Sequence, residues 1–104
     1  MTDDVSGVCY PKGDLRRMLA VLGAIEQLPQ PTLTSISIAL GFGPKGGHTV
    51  ARLIEQARTQ ACVGISKSRF CFHIDSWGPF LQRDGAVMAW FGRRNAIAEV
   101  LEET

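Results

Sequence analysis

Apolar positions along this chain follow a helical rhythm, then an alternating one, then a helical one again, and the changes of rhythm mark the elements. From Asp14, a good N-cap residue, Leu15, Met18, Leu19, Leu22 and Ile25 recur at three- and four-residue intervals and predict a first helix. Leu28-Pro29-Gln30-Pro31 ends it, because two prolines forbid continuation. A short second helix is predicted over TLTSISIALG, with a threonine at its N-cap, Leu33, Ile36 and Leu40 on its inner side, and Gly41 where a C-terminal glycine belongs. After a glycine-rich turn, Val50, Leu53, Ile54, Ala57 and Ala61 bury one face of a third helix and leave Arg52, Glu55, Gln56 and Thr59 on the other. The period then drops to two. Val63 and Ile65 alternate with Gly64 and Ser66, and Phe70, Phe72 and Ile74 alternate with Cys71 and His73, so two strands meet across a Lys67-Ser68-Arg69 tip.

Beyond the strands, Asp75-Ser76-Trp77-Gly78-Pro79 is a turn-rich exit, and Gln82-Arg83-Asp84-Gly85 reverses the chain. From Ala86 to Glu103, Val87, Trp90, Phe91, Ile97 and Leu101 share a helical stripe that Gly92 and Arg93-Arg94 kink or split. The expected organisation is an N-terminal arm over residues 1–13, a core over 14–78 and a C-terminal helical segment over 79–104 that serves as a dimerisation element. A chain of 104 residues, 45% hydrophobic and 20% charged, fits one globular domain. No apolar run approaches the ~20 residues that span a bilayer, and MTDDVSG is acidic where a leader would be basic. A soluble, cytoplasmic protein is expected. Cys9, Cys62 and Cys71 are odd in number and form no CxxC pair, so they read as reduced thiols.

Helix, turn, helix and basic hairpin in that order resemble a winged helix-turn-helix domain. The residues that carry the resemblance are the Leu33, Ile36, Ala39, Leu40, Gly41 series, Thr49-Val50-x-Arg52-Leu53-Ile54 and the VGI…FCFHI hairpin; with the upstream helix they cover about three quarters of the chain. The resemblance implies a mainly α fold with a small β-hairpin, a three-helix core plus wing, and binding to double-stranded DNA.

Charge changes the picture through its distribution. The net charge is +1, which argues against a general polyanion binder, but between Gly41 and Ile74 five basic residues, Lys45, Arg52, Arg58, Lys67 and Arg69, face Glu55 alone. That is a local +4, and the rest of the chain sums to −3. Counterions released on binding come from phosphates under the local patch, so this asymmetry matters more than the total.

The turn Gly41-Phe42-Gly43-Pro44-Lys45-Gly46 matches G-x-G-x-x-G in form, yet no strand precedes it and no βαβ unit follows, so it is not a dinucleotide fingerprint. It either brings the backbone of Gly46, Gly47 and His48 up to a phosphate or is a flexible connector. For base reading, His48, Thr49, Arg52 and Gln56 fill the N-terminal part of the third helix, where arginine can bridge guanine O6 and N7 and glutamine adenine N6 and N7. Lys45, Lys67 and Arg69 are candidates for the backbone or minor groove; solubility alone can also account for charge at such places. Arg16 and Arg17 read as solvated surface, with phosphate contact the minority reading. Cys71-x-His73, with Cys62, is a candidate metal or redox site, but half-buried strand positions are the simpler fate of Cys71 and His73. No metal, cofactor or catalytic constellation is expected. The expectation is a sequence-specific transcriptional regulator or repressor that self-associates through Phe91, Ile97 and Leu101. Its alternatives are a protein-interaction module of the same fold and a metal- or redox-responsive regulator.

Overall fold

The computed structural model describes residues 10 and 13–92. Among them the chain is mainly helical, with four helices and one two-stranded antiparallel hairpin, in the order α1 (Leu15–Gln27), α2 (Leu33–Ala39), α3 (Gly47–Gln60), β1 (Gly64–Ser68), β2 (Cys71–Ser76) and α4 (residues 83–92). Ile97 and Leu101 lie outside the described residues. So does the 1–13 stretch apart from Tyr10 and Gly13.

Helix α1 is the centre of the molecule. Asp14 caps it by accepting the Arg16 backbone N–H at 2.8 Å, and the Leu28 N–H closes it on the Ala24 carbonyl at 2.8 Å, just before the prolines. From Ala20 to Ile25 every residue is buried, so its C-terminal half is covered on all sides rather than along one stripe. Leu15, expected on the inner stripe, is 56% exposed. Gly23 lets α4 approach: a Cβ there would strike the Ala86 carbonyl and the Trp90 side chain.

A capping box starts α2. The Thr32 hydroxyl accepts the Ser35 N–H at 3.0 Å, and the Ser35 hydroxyl accepts the Thr32 N–H at 2.8 Å. Ile36 and Leu40 enter the core beside Val50, Leu53, Ile54 and Ala57 of α3. Each of these side chains larger than alanine contributes roughly 1.5–3 kcal/mol on burial. At the far end of α3, Cys62 takes a left-handed conformation (φ 58) that reverses the chain, and the Val63 N–H reaches the Ala57 carbonyl.

The hairpin pairs Ile65 with Ile74, Lys67 with Phe72 and Ser68 with Cys71, with a bulge at Gly64/Ile65. Ile65 and Phe72 are buried in the core, and the Phe72 N–H donates to the Pro31 carbonyl at 2.9 Å, tying β2 to the α1–α2 connection. The tip is not Lys67-Ser68-Arg69. Ser68 still belongs to β1, and the two-residue turn is Arg69-Phe70, both with positive φ (52 and 70) as a type I′ turn demands. Phe70 is thereby moved from an expected strand position to the tip, where it is 78% exposed. Asn-Gly or Asp-Gly normally announces this turn, and neither dipeptide stands at positions 69 and 70.

Helix α4 begins three residues before the expected Ala86, with the Gln82 carbonyl accepting from Gly85 and Ala86. Ala86, Ala89 and Trp90 are buried and Val87 is half-buried. Arg83 reaches Glu26 of α1 (Nε to Oε1 3.0 Å), and the Tyr10 hydroxyl donates to the Ala89 carbonyl at 2.8 Å. No described helix is long and apolar enough to cross a membrane.

Candidate nucleic-acid interface

The α2–α3 turn is fixed rather than loose. Gly41 and Gly43 take positive φ (84 and 85), a conformation that costs other residues most. Ser37, fully buried, donates its hydroxyl to the Gly43 carbonyl, and the Phe42 N–H donates to the Ser37 carbonyl at 2.9 Å. Gly46 is needed for space: a Cβ there would collide with the Ser37 hydroxyl and with Phe42. A connector built this way sets the start of α3 in one place.

No side chain caps α3, and no acidic residue sits in its first turn, so the Gly47 and His48 N–H groups and the positive end of the helix dipole remain available there. With Val50, Leu53, Ile54 and Ala57 buried, a helix that advances about 100° per residue turns His48, Arg52, Glu55 and Thr59 directly outward. All four are exposed. Thr49 and Gln56, expected in the same set, lie toward α1 instead and line a depression of about 240 Å³ with Gly13, Arg17, Arg52 and Leu53. On the other flank Lys45, Gly47 and His48 border Leu33, Thr34, Pro44 and Ala51. Leu33 and Thr34 also line a third depression with Thr32, Lys67, Phe70 and Phe72, so the start of α2 joins the α3 N-terminus to the hairpin. Lys67 lies over the Phe72 ring with its Nζ 5.6 Å from the centroid.

The cations divide into two groups. Arg16 is paired with Asp14 and Arg83 with Glu26, while Arg58 is 3.8 Å from Glu55 on α3 itself. Among the described residues, Lys45, Arg52, Lys67 and Arg69 have no acidic partner. Neither has Arg17, which sequence reasoning set aside as solvated surface. Its guanidinium lies over the Phe42 ring, 4.8 Å from the centroid, and its Nε is buried without a hydrogen-bond partner. Burial, then the neighbouring Arg52 charge, pushes the Arg17 pKa down from its usual value. No motif marks such a residue; the only hint in the sequence is two adjacent arginines of which just one has a nearby acid at its disposal.

His73 is exposed rather than half-buried, because Phe72 and Ile74 take the inner face of β2; Cys71 is half-buried and Cys62 exposed. No three metal-ligating side chains come together among the described residues. Compared with known protein families, curated proteins and solved structures, the chain matches none, so its own residues carry the functional reading.

Proposed function

We propose that this chain is a winged helix-turn-helix protein that binds duplex DNA, with α3 in the major groove and the β1–β2 hairpin as a wing on the adjoining backbone. It acts as a transcriptional regulator, most simply a repressor. The observation that carries this reading is the division of cations. Arg16 and Arg83, away from α3 and the hairpin, are consumed in ion pairs, and Arg58 near the C-terminal end of α3 lies by Glu55, whereas Lys45, Arg52, Lys67 and Arg69 have no acidic partner among the described residues. Long cations held without partners around one exposed helix match a run of phosphates. His48, Glu55 and Thr59 are then the side chains on α3 nearest to base edges, with Glu55 suited to a cytosine amino group.

A unit this small gains contacts by two-fold pairing on a palindromic site. Met88 is 73% exposed and Phe91 41% exposed on α4, which supports self-association through that helix.

One observation favours a second reading, a protein-interaction module of the same shape without DNA binding: Phe70 puts an apolar ring at the hairpin tip, where a backbone contact would use a cation. A salt series of binding to random-sequence and genomic duplexes separates the two. The DNA-binding reading expects affinity that falls steeply with salt; absence of duplex binding at low salt refutes it.

A further inference from the structure

We infer that Arg17 and Arg52 form a two-guanidinium clamp for a single phosphate, one on the strand that flanks α3, an inference that takes the source of the phosphate from the DNA-binding reading. The depression between α1 and α3 is lined by both arginines, by the neutral hydrogen-bonding groups of Thr49 and Gln56, and by Leu53 and Gly13; among the described residues no carboxylate lines it. Arg17 is held from behind. The Phe42 ring stacks on its guanidinium, so the planar fork presents a fixed edge. Its Nε is shut from water with no acceptor among the described residues, a cost that is relieved when the side chain shifts to meet an incoming oxyanion.

The second cation sharpens the point. Arg52 is near enough for its charge to disfavour the charged form of Arg17, yet an arginine does not lose its proton in a protein, so the repulsion is not relieved by deprotonation. A phosphate between the two converts it into two charge-assisted attractions. The clamp also reassigns Arg52, from base reading to the backbone. Loss of Arg52 then weakens binding to every sequence alike instead of erasing discrimination at one base pair.

The test has two arms on the full chain. In the first, the Arg17 Nε–H resonance is followed by NMR while inorganic phosphate, and separately a short random-sequence duplex, is added at constant ionic strength. The clamp predicts a shift with both, larger with the duplex. If neither probe moves that resonance, the clamp is wrong; if phosphate moves it while the wild-type chain fails to bind duplex, the clamp stands as a free-phosphate site and the DNA-binding reading falls.

In the second arm, the slope of log affinity against log salt is measured for R17M, R52A and the double variant, with R17K as a variant that keeps the charge and the packing stem. One shared phosphate predicts that either single charge loss leaves the slope nearly unchanged, because the remaining guanidinium still neutralises it, and that the double variant flattens the slope by about 0.9. Two independent phosphate contacts would give an additive loss in the double variant and overturn the shared clamp. An unchanged slope in the double variant, with salt-dependent binding intact, overturns it as well while leaving the DNA-binding reading in place.

Discussion

Three glycines in the α2–α3 turn offer a graded test of how that turn is built, because alanine meets a different obstacle at each. At Gly46 the backbone is ordinary (φ −87), and the obstacle is space: the new methyl would collide with the Ser37 hydroxyl and the Phe42 side chain and carbonyl. Ser37 is fully buried and bonded to the Gly43 carbonyl, so neither neighbour is a free side-chain end that can swing away. Overpacking of this kind costs about 1–3 kcal/mol. At Gly43 the methyl would stand in open space, but φ is +85, and that conformation costs an L-residue about 1–2 kcal/mol. Part of this is offset by about 0.4–1 kcal/mol from a stiffer unfolded chain. At Gly47 the methyl would sit 3.7 Å from the Leu33 Cβ, an ordinary contact, inside the first turn of α3. There alanine gains roughly 0.5–1 kcal/mol of helix preference. The expected order of stability is therefore G47A at or above wild type, G43A slightly below, and G46A lowest. For a domain of about this size, 1 kcal/mol moves the melting temperature by roughly 4–8 °C, well within the reach of thermal and urea unfolding followed by circular dichroism. A merely flexible connector would make all three variants mildly stabilising through the unfolded chain. That result, or a G46A protein as stable as wild type, would refute the idea that Ser37, Phe42 and Gly46 lock the two helices together.

Further expectations follow from the caps, the wing and α4. Removing the side-chain half of the α2 capping box with T32A is expected to cost about 0.5–2 kcal/mol in urea unfolding. The Arg16 guanidinium and backbone N–H bonded to Asp14 hold its carboxyl at about 2, below the ordinary 3.8, so its contribution is present above that ordinary value and lost as pH falls from there to about 2. An acid titration of helical signal should lose that component in D14N. The K67A and R69A changes should each weaken binding to all duplexes and flatten the salt slope by about 0.9; a constant slope places the wing off the backbone. Sedimentation near ~100 µM should show a dimer that M88D converts to monomer, and a wild-type monomer at that concentration would remove α4 as an interface.

The three helices before the hairpin could be read from sequence because their signals are local: a cap and a proline or glycine stop for α1 and α2, and an apolar period for α3. What the sequence did not disclose depends on neighbours that are distant along the chain. Leu15 has the right period but is exposed, and α1 is buried all round only from Ala20 to Ile25, where α4 closes on Gly23, a contact across more than half the chain. The hairpin was legible as alternation, but its turn was placed one step early since Arg69-Phe70 carries no sign of the left-handed conformation it adopts. On α3, periodicity separated buried from exposed faces; it could not tell Thr49 and Gln56, which lean toward α1, from His48, because it says nothing about what flanks the helix. Arg17 escaped for the same reason. Its surroundings are assembled from α1, the turn and α3, and only the folded chain brings them together.

The hairpin tip separates two properties that usually change together. Arg69 and Phe70 hold a conformation that L side chains resist, at a cost on the order of 1–2 kcal/mol each, while the pairing of Ser68 with Cys71 fixes the path of the chain on either side. Asparagine and glycine at these two positions would follow the same path without that cost, so the hairpin could become sturdier while its shape and its register stayed as they are. Whatever recognition such a chain then lost would belong to the guanidinium and the ring themselves, free of any confusion with unfolding.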